Sequence, residues 1–162
     1  MKPLFKSNMV HLLRNFAEDR GCGHASVVPR PEGQRLDGLH VLLVEDNEIN
    51  MEIARTLLEF RNASVDGACN GQQAVEMFRS SPQNHYDAVL MDVRMPVMDG
   101  IAATQAIRGL DRADAATVPI LAMTANAFAE DIERSRKAGM NEHLAKPIEP
   151  ETLYARLASY FR

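Results

Sequence analysis

Glu45 and Asp46 stand side by side directly after the apolar run Val41-Leu42-Leu43-Val44, and Asp92 stands directly after Ala88-Val89-Leu90-Met91. If those two runs are neighbouring strands, three carboxylates meet in a small volume, which is unfavourable without a cation. Oxygen-only ligands with positions left open suit Mg2+, which keeps several of its waters and bridges carboxylates to phosphoryl groups. Two further apolar runs end in other chemistry: Met123-Thr124-Ala125-Asn126 offers a hydroxyl, and Lys146-Pro147 an ammonium. Together these groups describe phosphoryl transfer. One aspartate acts as nucleophile, metal and lysine neutralise the equatorial oxygens, and the hydroxyl positions one of them.

Such convergence requires strands whose ends share one edge, and the pattern from Leu39 onward supplies them. Short apolar runs at 41–44, 63–68, 88–91, 120–123 and 143–145 alternate with longer amphipathic stretches. Near-continuous apolar runs are what strands buried on both faces require, as in a parallel sheet covered by helices. Between them Ile49, Ile53, Leu57 and Phe60 recur at helical spacing, as do Val75 with Phe78, then Ile101, Thr104 and Ile107, and finally Leu153 with Leu157. The order is (βα)5, so a doubly wound α/β sandwich with right-handed crossovers is expected. In such sheets ligands bind beyond the carboxyl ends of the strands.

Composition agrees with one soluble domain. The chain has 162 residues, 46% hydrophobic and 25% charged, with a net charge of −4. That excludes wholesale disorder, and two cysteines exclude a disulfide scaffold. No apolar run approaches the ~20 residues that cross a bilayer. Met1 to Arg20 shows no signal-peptide pattern, so a cytoplasmic protein is expected. Residues 1–38 hold six basic and four acidic side chains, a net +2, which leaves −6 for residues 39–162. A negative domain gives no reason to propose nucleic acid, which wants a basic face. The glycines and prolines of residues 21–38 read as a linker, so three segments are expected: a helix over 1–20, a linker over 21–38 and a domain over 39–162.

Four separated motifs in fixed order give the domain a resemblance to a known family. They are Val41-Leu42-Leu43-Val44-Glu45-Asp46-Asn47, Leu90-Met91-Asp92-Val93-Arg94-Met95-Pro96-Val97-Met98-Asp99-Gly100, Ala122-Met123-Thr124-Ala125-Asn126 and Ala145-Lys146-Pro147. Over His40 to about Tyr160 the sequence resembles the receiver domains of two-component response regulators. The resemblance implies a flavodoxin-like strand order 2-1-3-4-5 and a phosphoryl group accepted by Asp92 from a phosphohistidine. It implies Mg2+ held by Asp46, Asp92 and the backbone carbonyl of Arg94, with Glu45 helping through water. Thr124 and Lys146 would grip the phosphoryl oxygens. The stretches Asp46-Asn47-Glu48-Ile49-Asn50 and Gly139-Met140-Asn141-Glu142-His143-Leu144 look most like receivers of hybrid histidine kinases. Those exchange phosphate with a histidine phosphotransfer domain, so a kinase or such a domain is the implied partner. Two positions depart from the family. Its switch residue, commonly Tyr or Phe, is His143 here, paired in that role with Thr124, and an unperturbed imidazole titrates near pH 6.5. Its acidic pair is Glu-Asp in place of Asp-Asp.

Other residues read more plainly. Asn47 suits a helix cap, and Asp99-Gly100 a turn and helix start. A calcium loop opening at Asp92 would need Asp or Asn where Arg94 stands. Cys69 reads as a small buried apolar residue. Gly21-Cys22-Gly23 has no strand before it and is rejected as a nucleotide loop. Phe5, Met9, Leu12 and Phe16 form one helical stripe that must pack on something: its own domain, a second copy as a homodimer, or the kinase. Two other functions compete with the signalling relay. A phosphatase or mutase forming an aspartyl phosphate would want a second aspartate at the position of Arg94. A receiver-like binding module that is never phosphorylated would lack one of Asp46, Asp92, Thr124 or Lys146. No effector segment follows Arg162 in this sequence, so output by protein contact or by passing phosphate on is expected.

Overall fold

The computed structural model describes residues 36–125 and 129–161. The expected helix over 1–20, and all but the last three residues of the expected linker, lie outside the described residues. The elements run β1 (His40–Val44), α1 (Glu48–Phe60), β2 (Ser64–Ala68), α2 (Gly71–Ser80), β3 (Ala88–Asp92), α3 (Gly100–Arg108), α4 (Ala113–Thr117), β4 (Ile120–Thr124), α5 (Ala129–Ala138), β5 (Glu142–Ala145) and α6 (Pro150–Ala158). The strands form one sheet in the order β2-β1-β3-β4-β5, and every neighbouring pair is parallel. This is the expected doubly wound (βα)5 sandwich, with α4 added. Among the described residues no helix is long and apolar enough to cross a membrane.

Strand parity divides the core. Successive side chains of a strand point to opposite faces, so Leu42, Val44, Val89, Met91 and Ile120 pack with Val75 and Phe78 of α2 and Ile107 of α3. Val41, Leu43, Leu90, Leu121 and Met123 pack on the other face with Leu57 and Leu58 of α1 and Leu153 and Leu157 of α6. The three inner strands are buried on both sides, which is why their sequence shows no alternation. The edge strand β2, which carries Asp66 and Gly67, is half exposed. Leu36 is buried in the second cluster, and its N–H donates to the carbonyl of Arg61 at 3.2 Å. The compact unit therefore takes in residues ahead of β1.

The expected stripe on α1 needs correction. Ile49 and Phe60 are 52% and 53% exposed, whereas Ala54 and Leu58 are buried with Leu57. The face that meets the sheet runs through 54, 57, 58 and, partly, 53, so the ends of the apolar pattern overshoot the contact. Cys69 is corrected as well. It is exposed, because β2 ends at Ala68 and the next residue turns outward, its N–H donating to Oε1 of Gln73 at 2.7 Å.

Two arginines lock the helices at the amino end of the sheet. Arg108 donates to the carbonyls of Ala115 and Gly139 and to Oδ1 of Asn141. Arg112 donates to the carbonyls of Phe78, Ser81 and Pro82 and grips the buried Asp114 with two bonds of 3.0 and 2.7 Å. The Arg112 guanidinium, opposed by burial and helped by the N–H of Asn84, holds the Asp114 carboxyl below its ordinary value. A depressed carboxylate stabilises the fold above that ordinary value, and the contribution is lost as pH falls through the folded one. Asp114→Asn should therefore cost about 3 kcal/mol at pH 7 by leaving the half-buried Arg112 guanidinium without its counter-charge. The deficit should narrow below the ordinary value of 3.8. Urea midpoints of both chains at pH 7 and pH 3 measure this, and equal midpoints at pH 7 would dismiss the brace.

Candidate functional site

The strand ladders continue one residue past their formal ends and so carry the functional residues into register. The N–H of Glu45 donates to the carbonyl of Ala68 at 3.1 Å, that of Val93 to Met123 at 3.1 Å, and that of Lys146 to Thr124 at 2.8 Å. Asp92 pairs with Met123 across β3 and β4, and Thr124 with Ala145 across β4 and β5. Neighbouring strands lie about 4.8 Å apart. Side chains at the same height on adjacent strands therefore share one cleft. It encloses about 260 Å³ and is lined by Glu45, Asp46, Asn47, Asn50, Asp92, Val93, Arg94, Thr124, Ala125 and Lys146.

Within it the charges are close. One ligand oxygen from each of Glu45, Asp46 and Asp92 lies within 4.8 Å of the other two. Glu45 and Asp92 are buried and Asp46 is exposed, a set open to solvent on one side. Lys146 places Nζ 2.7 Å from Oε2 of Glu45 and 3.0 Å from Oδ2 of Asp92. The second oxygen of Asp92 accepts the N–H of Arg94 at 3.2 Å. Oε1 of Glu45 accepts the N–H of Asn47 at 3.1 Å. Burial pushes the Glu45 carboxyl up against the opposing pull of Lys146 and Asn47, and the nearby Asp92 charge pushes the same way. Burial also works against the Lys146 ammonium, but the bonds and charges of Glu45 and Asp92 together hold it above its ordinary value. The lysine charge is thus favoured, while burial resists ionisation of the Glu45 carboxyl.

Local sequence explains the placement. Asn47 caps α1, its Oδ1 accepting from Ile49 and Asn50, so the helix starts beside the acids. Asp99 caps α3 through Ala102, as the turn reading of Asp99-Gly100 expects. A Cβ on Gly100 would fall 2.1 Å from the backbone oxygen of Asp92, so only glycine lets α3 begin against that strand. The Arg94 side chain leans out toward Asp131 at 4.0 Å, leaving its backbone to face the acids. The Lys146-Pro147 peptide is cis. Asn50 joins the lining unannounced; its position one turn beyond Asp46 on α1 was the available signal. Asn126 lies outside the described residues.

Thr124 is buried at the end of β4. His143 pairs with Ala122, two residues before Thr124, and so shares its face of the sheet. Its Nε2 is buried without a hydrogen-bond partner among the described residues. Burial, with the charge of Arg136 and against that of Glu142, keeps the ring below its ordinary titration. At neutral pH it is an uncharged, half-buried ring.

Comparison with known proteins covers the same stretch of chain. Residues 41–158 match the family model described as response regulator receiver domain. The signal transduction histidine-protein kinase BarA of Escherichia coli is 35% identical over 162 residues, 99% of this chain and 16% of that protein. The chain spans 7–17% of the length of such curated relatives. The receiver domain of the sensor histidine kinase PA1611 of Pseudomonas aeruginosa, solved with a magnesium ion in its active site cleft, is 39% identical. It superposes with a TM-score of 0.68, covering 79% of this chain and 97% of that one. The receiver domain of the Saccharomyces cerevisiae response regulator Ssk1, solved with the phosphotransfer protein Ypd1, is 30% identical with a TM-score of 0.68, covering 79% and 90%. Strand order, acid-lined cleft and sequence match coincide over one stretch, and the chain belongs to the response regulator receiver domain family.

Proposed function

We propose that this receiver is the phosphoacceptor of a two-component phosphorelay, with Asp92 taking the phosphoryl group from a phosphohistidine. The observation that carries the reading is the buried Asp92 carboxylate, held at one oxygen by the Lys146 ammonium at 3.0 Å and flanked by two further acids. A carboxylate fixed at both oxygens is a positioned nucleophile. Its oxygen attacks phosphorus as the phosphorus–nitrogen bond of the donor breaks; the electron pair stays on the imidazole, which takes a proton from solvent. Lys146 and the Thr124 hydroxyl are assigned to the transferred oxygens.

Three clustered carboxylates against one ammonium leave two uncompensated negative charges, a donor set for a hard divalent cation. Glu45, Asp46, Asp92 and the carbonyl of Arg94 would hold Mg2+. When bound, it supplies positive charge against the incoming phosphoryl oxygens. His143, uncharged and facing the same side as Thr124, is assigned to the switch that reports occupancy. The donor would be a histidine kinase or a histidine phosphotransfer domain, as the Ssk1 receiver's partner suggests. The chain's own chemistry would stop at accepting phosphate and slowly hydrolysing it, in the cytoplasm. The net −6 of residues 39–162 supports a protein partner over nucleic acid.

For residues 1–38 we propose a helix over 1–20, joined by a linker and serving in contact with a second copy or the kinase. The alignment with BarA extends into this segment. Sedimentation of the full chain against one starting at Gln34 should show the larger species only for the full chain; two monomers would remove the dimer.

Acetyl phosphate with Mg2+ should add one phosphoryl group, seen in the intact mass, and Asp92→Asn should abolish it; persistence in that variant would move the acceptor elsewhere. Lys146→Ala should stay folded in Mg2+ yet accept phosphate on the order of 10²-fold more slowly, the cost of one lost charge-stabilising donor. In EDTA it should be destabilised by about 3 kcal/mol, because Glu45 and Asp92 lose their counter-charge. An unchanged rate would remove the lysine from the chemistry.

A further inference from the structure

At the opposite end of the sheet, His40, Asp66 and His85 converge from three separate segments. His40 opens β1, Asp66 lies on the edge strand β2, and His85 belongs to the loop that leads into β3. Leu42 is the register partner of Asp66, so His40, two residues earlier, lies on the same face of the sheet. Nε2 of His40 is 3.2 Å and Nε2 of His85 3.7 Å from Oδ2 of Asp66. The two imidazole centroids are 4.2 Å apart. One ligand atom from each residue lies within 4.8 Å of the other two. The side chains are 29%, 40% and 32% exposed for His40, Asp66 and His85, so an ion can reach them from solvent.

We propose that these three residues are a metal site for a borderline divalent cation, Zn2+ being the ion that fits their chemistry. Two imidazoles and one carboxylate are a zinc donor set, whereas Mg2+ and Ca2+ take oxygen ligands. With metal–ligand bonds near 2.0–2.1 Å, tetrahedral geometry sets ligand atoms about 3.3 Å apart. The two observed separations bracket that value, so small side-chain rotations suffice. Water would complete the fourth position. The site has outer support as well. Tyr86 donates its hydroxyl to Oδ2 of Asp66 at 3.0 Å, orienting the carboxylate, and its ring stacks on the buried Phe78. The N–H of His40 donates to Oδ2 of Asp87 at 2.8 Å, which fixes the start of β1. Such outer contacts keep ligands aimed at a metal. Binding replaces any proton shared between imidazole and carboxylate, so it releases protons to solvent. The ion would tie β1, the edge strand and the loop before β3 together, about 16 Å of strand away from the acid cleft. The site is independent of the phosphoacceptor reading.

The test uses the full chain in excess Mg2+, which competes with zinc for the acid cleft. Equilibrium dialysis against Zn2+ should find uptake by the wild-type chain. The double variant His40→Gln with His85→Gln should bind at least tenfold more weakly, while Asp92→Asn should bind as the wild type does. Zinc should also shift the imidazole nitrogen resonances of His40 and His85 in the wild-type protein, a readout that survives if the double variant fails to fold. Absence of uptake, uptake unchanged by the double variant, or resonances of these two rings unmoved by saturating zinc would each overturn the proposal.

Discussion

One ammonium answers two buried carboxylates, and the rest of the cleft is arranged around that imbalance. Lys146 reaches Glu45 and Asp92 at hydrogen-bond distance from both. A buried charge left uncompensated is costly, and an ion pair repays desolvation only with close geometry and further hydrogen bonds. Both conditions are met through the backbone: Asn47 and Arg94 each lend an N–H to the carboxylate oxygen that the lysine does not hold. Those N–H groups exist at the right places because each strand ends there and the chain turns. The electrostatics of the cleft are therefore inherited from the sheet.

The sheet in turn depends on parity. An even-numbered residue of β1 and an odd-numbered one of β3 lie on the same face, because Leu42 pairs with Val89. Extending the ladders by one step turns Glu45 toward the face shared by Leu43 and Leu90, and Asp92 along its own strand toward the Leu90 side. Glu45 and Asp92 thus approach from the same layer while Asp46, one residue on, stays exposed. A one-residue slip of either strand would reverse these directions. Complete burial of Leu42, Leu43, Leu90 and Met91 on both faces makes such a slip prohibitive. The core fixes the site geometry without touching the reacting atoms.

This division explains what could be read in the amino-acid sequence. The inner strands announce themselves because burial on both faces removes alternation, and acids or a lysine at the end of an apolar run stand out against it. Gly100 was legible as a turn but not as a close approach, since its contact is with Asp92, eight residues away and across a loop. The limits of α1 misled because Ile49 and Phe60 continue an apolar spacing past the surface that meets the sheet. Cys69 misled because average burial of a residue type ignores where its strand ends. The five-residue α4 carries too few positions for any period. His40, Asp66 and His85 were invisible together: they lie 26 and 19 residues apart, and only the β1–β2 register and the loop before β3 join them.

Stability and chemistry are placed at opposite edges. At the amino end, Arg108 and Arg112 spend their donors on backbone carbonyls and on Asp114, so each half-buried cation is matched by fixed acceptors. At the carboxyl end the charges are not matched, and burial works against ionisation of Glu45 while Lys146 and the N–H of Asn47 favour it. A region whose folded state already tolerates excess negative charge has much to gain from a cation and can change its charge without loss of the core. The arginine braces lie at the other end of the sheet, Arg108 closing α3 and Arg112 standing between α3 and α4. A structure balanced this way can shift population at the cleft by a few kcal/mol while the global fold stays committed. The neutral, half-buried ring of His143 belongs to the layer between the two regimes. It stands on the same face as Thr124, in register with Ala122 two residues deeper along β4.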